Sequence, residues 1–241
     1  MAEWMYYVLG FLFIPLLIFT IVVEIRVSSV YRKYKKLNSK LGITTKDCAR
    51  QMLDARGLNG VEIYTSNGGA MSDYYDPKGK NVHLSTKSMD STAVADIAIA
   101  AHEVGHAFQD ADETYTPMKI RAMLLPYVQF ANRASIPLFI FGLLLTLFAN
   151  ISGVGTIVLW ISVVLYFAST LFYMITLPIE INASKRAIAT ITEHGILTEE
   201  ELPAAKQLLD AAAWTYIAGL VTSLYYFLRF LLQVVFITRD N

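Results

Sequence analysis

Residues 134–179 have the sequence ASIPLFIFGLLLTLFANISGVGTIVLWISVVLYFASTLFYMITLPI, 46 positions without a single charged side chain. A helix needs about 20 predominantly apolar residues to cross a bilayer, so this stretch is long enough for two crossings. Its middle, NISGVG at residues 150–155, combines two glycines with polar residues that favour a turn. We therefore predict a transmembrane helical hairpin over residues 134–178, with helices at 134–150 and 155–178.

Two further stretches lack charge, residues 4–23 and residues 211–228. By the same length criterion they predict transmembrane helices at 5–27 and 212–237. Charged residues make up only 17% of the chain, against about 25% in typical soluble domains, and the polar remainder is too short to cover four buried helices. The predicted fold class is a membrane α-helical protein with about four transmembrane helices and two polar segments, residues 28–133 and 179–211.

The charges beside the first apolar stretch predict its orientation. Six basic and no acidic residues lie between Arg26 and Lys40, and the positive-inside rule places such a segment in the cytoplasm. Basic residues also flank the other helix ends on this side, at Arg121, Arg133, Lys185 and Arg186. We expect a multi-pass protein of the cell membrane, with its N-terminus outside and both polar segments on the cytoplasmic side.

The charge balance and the cysteine count exclude some kinds of site and partner. The chain carries 20 basic and 20 acidic residues, so it lacks the basic excess with which proteins neutralise nucleic-acid phosphates. Cys48 is the only cysteine, which excludes disulfide frameworks and cysteine-rich zinc modules. A lipid bilayer is thus the predicted partner, and nucleic acid is not.

The first polar segment has the pattern of a small α+β domain. TTKDCARQMLDARGL, residues 44–58, is typical of an amphipathic helix that begins at a threonine cap and ends at a glycine. VEIYTS at residues 61–66 alternates as a strand does, and MSDYYDPKGKNVHLST at residues 71–86 predicts a hairpin. Apolar residues then recur at helical spacing, which predicts a further helix over about residues 91–110.

AAHEVGHAFQD, at the end of that last helix, contains two of the four histidines of the chain. His102 and His106 are four residues apart, so both imidazoles project from one helix face and can bind one metal ion. Glu103 stands beside them, where it can act as general base on a water molecule that zinc has made more acidic. The pattern predicts a Zn²⁺ site with Glu103 as the catalytic residue.

A catalytic zinc site needs a third protein ligand and one open position. Glu180 lies in LPIEINASKRA, residues 177–187, where the third predicted span ends and small residues let another helix approach closely. Ser184, one turn later, can hydrogen-bond a ligand histidine. Asp112 is the alternative ligand at the metzincin offset, but that pattern needs a turn, normally a glycine, where this chain has Gln109. Glu180 is the favoured ligand.

Two histidines remain outside this motif. His194 precedes Gly195 at a predicted helix end, where a histidine interacts favourably with the helix dipole, and contact with a substrate is the alternative. His83 lies on the predicted hairpin, as a surface residue or as a partner of a metal ligand.

HEVGH on a helix, LPIEINASKRA downstream and four predicted spans together resemble the bacterial family of membrane neutral zinc metallopeptidases. More distantly, they are similar to the membrane gluzincins of the HtpX and CAAX-protease kind. The resemblance extends over nearly the whole chain, including SDYYDPKGKNVHLS, and implies a zincin-like domain with His102, His106 and Glu180 as ligands and Glu103 as base. HtpX-type enzymes usually have an aspartate where this chain has Ser184, which argues for the smaller family.

The resemblance also implies a substrate and the way it binds. The hairpin strand before the histidine-bearing helix would offer its edge to an extended protein or peptide substrate, with Tyr74, Tyr75 and Asn81 lining the cleft. The predicted function is a zinc metalloendopeptidase embedded in the membrane that acts on membrane-proximal proteins. The alternative is a zinc-binding membrane scaffold or chaperone without proteolysis, and the oligomeric state stays open.

Overall fold

The computed structural model describes residues 2–69, 71–147 and 152–239, and the architecture is mostly helical. Over these residues, seven helices and three strands follow one another in the order α1–α2–β1–β2–β3–α3–α4–α5–α6–α7. Their bounds are Ala2–Tyr34 for α1, Thr45–Ala55 for α2, Glu62–Ser66 for β1, Tyr74–Asp76 for β2, Asn81–Ser85 for β3, Thr86–Met89 for α3, Val94–Ala111 for α4, Thr116–Leu147 for α5, Ser152–Glu193 for α6 and Leu202–Arg239 for α7.

Four of these helices, α1, α5, α6 and α7, are long and apolar enough to cross a membrane by length and composition. Each predicted span lies within one of them, except that residues 148–150 of the second fall outside the described residues. The predicted turn at residues 150–155 also lies partly outside them, and its last four residues already belong to α6. α6 then continues unbroken through Pro178 to Glu193, well beyond the predicted span.

The chain divides into two compact units, and the first covers residues 1–21, 120–177 and 216–241, whose described parts belong to α1, α5, α6 and α7. Its buried core cluster consists of Leu159, Val163 and Val234. A Cβ on Gly142 would lie 3.0 Å from the backbone nitrogen of Leu159, so two helices come close there. Thr170 and Ser223 share a hydroxyl hydrogen bond of 2.9 Å between helices. Small residues at close crossings and interhelical hydrogen bonds are typical of helix packing in lipid.

The second unit, residues 22–119 and 178–215, contains the sheet and the helices α2, α3 and α4. Thr44 caps α2 as predicted, because its side chain accepts a hydrogen bond of 3.1 Å from the Asp47 N–H. Gly57 follows the end of α2 with a φ of +71°, a conformation that favours glycine. The amphipathic face of α2 is buried and packs against α4.

The sheet has the strand order β1–β3–β2. β3 pairs antiparallel with β2, which confirms the predicted hairpin, and parallel with β1, with Glu62 opposite Asn81. Because β3 is paired on both sides, the prediction that the strand before the histidine-bearing helix offers an open edge is wrong for β3. The edge strand that contacts α4 is β2.

α4 begins at Val94, three residues later than the predicted start near residue 91. The reason is a pairing with the segment after α1: an isolated bridge joins Asn38 to Ala93 and keeps this part of the chain extended. Inside α4, the buried Asp96 accepts a hydrogen bond of 2.9 Å from the Tyr31 hydroxyl and forms an ion pair with Lys35. These contacts connect the first turn of α4 to the end of α1.

Candidate active site

The two motif histidines lie on a helix that is buried along most of its length. Small side chains let neighbouring elements pack close to α4, and the buried ones are Ala95, Ala98, Ala100, Ala101 and Ala107. His102 and His106 project from the same face, with ring centroids 4.8 Å apart. The i, i+4 spacing read from the sequence therefore produces the expected pair of neighbouring imidazoles.

Glu180 of α6 meets both imidazoles. Its Oε2 atom lies 3.2 Å from Nε2 of His102 and 3.2 Å from Nε2 of His106. The potential ligand atoms of the three residues all lie within 4.8 Å of one another, and the Glu180 side chain is almost completely buried. Among the described residues, this is the group of His, Cys, Asp or Glu side chains with the spacing of a metal site.

The glycine between the two histidines allows α6 to come this close. A Cβ at Gly105 would lie 3.1 Å from the carbonyl carbon of Ala183 and 3.2 Å from its Cα, so even an alanine would push the backbones apart. A glycine inside a helix costs about 1 kcal/mol of stability relative to alanine. This close approach brings Glu180 within reach of both rings, and it is the structural reason for a glycine at position 105.

The donor set fits Zn²⁺. Two imidazole nitrogens and one carboxylate oxygen are the protein ligands of many catalytic zinc sites, with metal–ligand distances of about 2.1 Å. Two atoms bound to a tetrahedral ion at that distance lie roughly 3.4 Å apart, close to the 3.2 Å found here. The outer ring nitrogens are hydrogen-bonded: Nδ1 of His102 to Ser184 Oγ at 3.0 Å, as predicted, and Nδ1 of His106 to Gln109 Oε1 at 2.9 Å.

Glu103 follows His102 directly and is half-buried beside the pair. Its Oε2 accepts a hydrogen bond of 3.0 Å from the backbone N–H of Tyr75 in the edge strand β2. Burial raises the pKa of the Glu103 carboxyl above its usual range, against the opposite effect of the two histidines. A carboxyl group whose pKa lies closer to neutral pH is suited to both accepting and returning a proton.

The predicted cleft residues take different positions. Tyr75 is buried, and besides its backbone contact to Glu103 its hydroxyl donates a hydrogen bond of 2.8 Å to Asp110. Tyr74 is exposed and stacks on His83, with ring centroids 4.4 Å apart, so His83 packs on the sheet. Asn81 lies opposite Asp76 at the hairpin end of β3. Tyr75 thus has hydrogen bonds to two residues of the motif stretch 100–110, Glu103 and Asp110.

Asp112 and His194 are engaged elsewhere. Asp112 forms an ion pair of 2.7 Å with Arg186, and hydrogen bonds from Thr114 and Arg186 lower its pKa to about 2. His194 is exposed just after the end of α6, with Nδ1 3.1 Å from the Thr190 carbonyl oxygen. Asp112 is therefore not part of the His102–His106–Glu180 cluster, and His194 lies at a helix end, as the first of its two interpretations expects.

Sequence reasoning missed Gln109 as a contact of the site. It lies three residues after His106, a spacing at which helix side chains are neighbours, and that signal was available. Its other contacts, to Ile179 and Asn182, come from α6 and have no local signal. Arg186, which hydrogen-bonds Asn182 at 2.8 Å, was also missed as a contact of this network, although the two residues are four apart on α6.

The His–His–Glu cluster is formed by two closely crossing helices, and a second glutamate on one of them accepts a hydrogen bond from the edge strand of a small sheet. This donor set, with a carboxylate beside it, fits the class of zinc metallopeptidases. Comparison with known sequences agrees: the chain belongs to the family described as "Putative neutral zinc metallopeptidase", which matches residues 9–235. Zinc is accordingly the cofactor. The chain is also 35% identical over 209 residues to the "Putative membrane protease YugP" of Bacillus subtilis (strain 168), covering 87% of this chain and 88% of that protein. No solved structure matches the chain.

Proposed function

We propose that this chain is a membrane-embedded zinc endopeptidase that hydrolyses peptide bonds in proteins at or near the membrane surface. The observation that carries the proposal is the position of Glu180, whose Oε2 lies 3.2 Å from Nε2 of both His102 and His106. Glu103, on the same helix as the histidines, supplies the remaining catalytic group. Membership of a zinc metallopeptidase family supports this assignment.

The proposed reaction requires little beyond these groups. Bound zinc supplies a Lewis acid that polarises the peptide carbonyl and lowers the pKa of water to about 7. Glu103 removes a proton from the attacking water and delivers it to the leaving amine nitrogen, so one C–O bond forms and one C–N bond breaks. The Tyr75 N–H, 3.0 Å from Glu103 Oε2, holds the carboxylate in place between these two proton transfers.

The membrane location rests on the long apolar helices. Many of their apolar side chains are exposed, including Phe130 at 65%, Ile157 at 62% and Val164 at 64%. Apolar surface on this scale is expected of helices in lipid and not of a water-soluble monomer. Glu180 lies on the same continuous helix as the third predicted span, two residues after Pro178. We therefore place the metal at or near the bilayer surface.

The substrate would pair with β2, the edge strand next to α4. β-Augmentation of this kind uses free N–H and C=O groups of an edge strand, so it selects an extended backbone and not a particular sequence. The Tyr75 N–H is not one of these free groups, because it donates to Glu103. The exposed Tyr74 is placed to contact a side chain of such a peptide. Oligomeric state plays no part in this proposal.

The function is tested by comparing two substrates with the same cleavable segment, one soluble and one carried on a transmembrane anchor. In proteoliposomes we expect zinc-dependent cleavage, with kcat/KM at least about tenfold higher for the anchored substrate, because confinement to one bilayer raises its effective concentration. A zinc chelator should abolish both reactions. Equal rates for both substrates would contradict the membrane-proximal specificity, and the absence of cleavage would contradict the peptidase itself.

We also propose that the zinc site faces the cytoplasm and that the C-terminal end of α7 lies outside, and cysteine labelling tests this orientation. The natural Cys48 is completely buried, and burial raises the pKa of its thiol to about 12, so it does not compete for a maleimide. In intact cells, a membrane-impermeant maleimide should label Arg239→Cys and leave Lys87→Cys unlabelled until the membrane is opened. Both positions are exposed in the structure. The reverse labelling pattern would place the site on the outer face.

A further inference from the structure

Gln109 is a fully buried polar side chain that the proposed reaction does not use. Its Nε2 donates hydrogen bonds to the Ile179 carbonyl oxygen at 2.8 Å and to Asn182 Oδ1 at 3.0 Å. Because a backbone carbonyl can only accept, the NH₂ end of the amide must face it. Oε1 therefore faces the other way, towards Nδ1 of His106 at 2.9 Å.

This orientation determines the tautomer of His106. An amide oxygen can only accept, so Nδ1 of His106 carries a proton, and in the neutral imidazole that binds a metal this leaves the lone pair on Nε2. Nε2 is the atom that lies 3.2 Å from Glu180. His102 is different, because its Nδ1 contacts the Ser184 hydroxyl, which can either donate or accept. Gln109 thus selects the metal-binding nitrogen of His106, whereas the contact with the Ser184 hydroxyl does not select that of His102.

The donor end of Gln109 holds the part of α6 that carries the third ligand. Ile179 and Asn182 stand on either side of Glu180 in the chain, and both receive a hydrogen bond from the same NH₂ group. Asn182 Oδ1 also accepts a hydrogen bond of 2.8 Å from Nε of Arg186. A guanidinium can only donate, so Arg186 keeps the oxygen of Asn182 directed at Gln109.

We propose that Gln109 is a positioning residue that sets the zinc affinity of the site, by fixing the tautomer of His106 and the place of Glu180 together, with Asn182 and Arg186 orienting it. The inference rests on the proposed function only in that His102, His106 and Glu180 bind zinc. Loss of a hydrogen-bond partner of a metal ligand typically costs about 10–100-fold in metal affinity. Gln109 serves two ligands, so its removal should have an effect of this size.

The test measures zinc affinity of the purified full chain by competition with a chromophoric chelator. Gln109→Met keeps the length of the side chain and removes all three hydrogen bonds, and we expect about 10–100-fold weaker zinc binding. The visible spectrum of the Co²⁺-substituted protein should change as well, because the ligand geometry changes. Gln51→Met, the same substitution at an exposed position of α2, is the matched control and should bind zinc as the wild type does.

A second pair of variants separates positioning from folding. Asn182→Asp keeps the oxygen that accepts from Gln109 and Arg186, whereas Asn182→Leu removes it at similar volume. We expect zinc affinity near the wild-type value for Asn182→Asp and a clear decrease for Asn182→Leu. If the role of the network is only structural, thermal unfolding of the metal-free variants shifts while the zinc affinity of the folded protein stays constant. That result would overturn the inference, and this pair gives an answer even if Gln109→Met does not fold.

These measurements distinguish a failure of the inference about Gln109 from a failure of the proposed peptidase function. If the wild type binds zinc and Gln109→Met binds it equally tightly, the inference is wrong and the peptidase proposal is unaffected. If zinc affinity changes as expected but no substrate is cleaved, the inference holds for a metal site that is not a peptidase. If the wild type binds no zinc, both are wrong.

Discussion

Replacing Glu103 by glutamine is expected to reduce peptide hydrolysis by about 10²–10⁴-fold, the usual contribution of a general acid–base group. Glutamine has the same shape, and its carbonyl oxygen can still accept the hydrogen bond from the Tyr75 N–H. It cannot take a proton from water at neutral pH. The zinc content should remain that of the wild type, because Glu103 is not among the three clustered ligand candidates. Activity and bound zinc are measured on the same preparation.

Glu113→Gln is the matched control, since Glu113 is an exposed glutamate just beyond α4 and should tolerate the change. The comparison also separates the peptidase from a zinc-binding scaffold or chaperone. A scaffold would keep its cellular role in the Glu103→Gln variant, whereas a peptidase would lose it. Undiminished hydrolysis by Glu103→Gln would show that another group acts as the base.

Replacing Glu180 by alanine is expected to abolish stable zinc binding, a larger loss than the 10–100-fold that removal of an outer hydrogen-bond partner costs. Three protein ligands are the usual minimum at a catalytic zinc site, and this change leaves only His102 and His106. Glu180 is almost completely buried, so alanine also leaves a cavity. Glu180→Gln fills that space and replaces the anionic ligand with a neutral amide, and it should lose zinc as well. Bound zinc is counted per folded chain.

Asp112→Ala is the comparison that decides between the two candidate ligands. Asp112 is partly exposed and paired with Arg186, and surface ion pairs typically contribute at most about 1 kcal/mol. We therefore expect zinc binding close to that of the wild type in this variant. Zinc that survives the loss of Glu180 but not the loss of Asp112 would show that the ligand assignment is wrong.

Features that depend on neighbouring residues were predictable. The capped helix α2, the strand β1, the β2–β3 hairpin and the four long apolar helices all follow from periodicity, turn residues and uncharged length. The pairing of His102 with His106 follows from helix geometry alone. Glu180 was found by combining a carboxylate at the end of a predicted span with small residues, and its role as a ligand stays a prediction that the zinc measurements test.

Features that depend on distant parts of the chain were not predictable. The parallel pairing of β1 with β3 moved the open edge from β3 to β2, and nothing within either strand signals that choice. The start of α4 shifted because Asn38, more than 50 residues earlier in the chain, pairs with Ala93. The contacts of Gln109 join residues about 70 positions apart, so a single-helix pattern contains only one of its three partners.

The sequence by itself determined which segments are apolar and long enough for lipid, the helix α2 and the β2–β3 hairpin, and the position of two histidines and a glutamate on one helix. These are consequences of local spacing and composition, which act over one or two turns of chain. Only the tertiary structure decided that α6 crosses α4 at Gly105 and that Glu180 thereby reaches both imidazoles. It also decided that Gln109 connects His106 to the segment of α6 around Glu180. The physical reason is that close packing depends on the shapes of both partners at once, and no stretch of either helix contains that information alone.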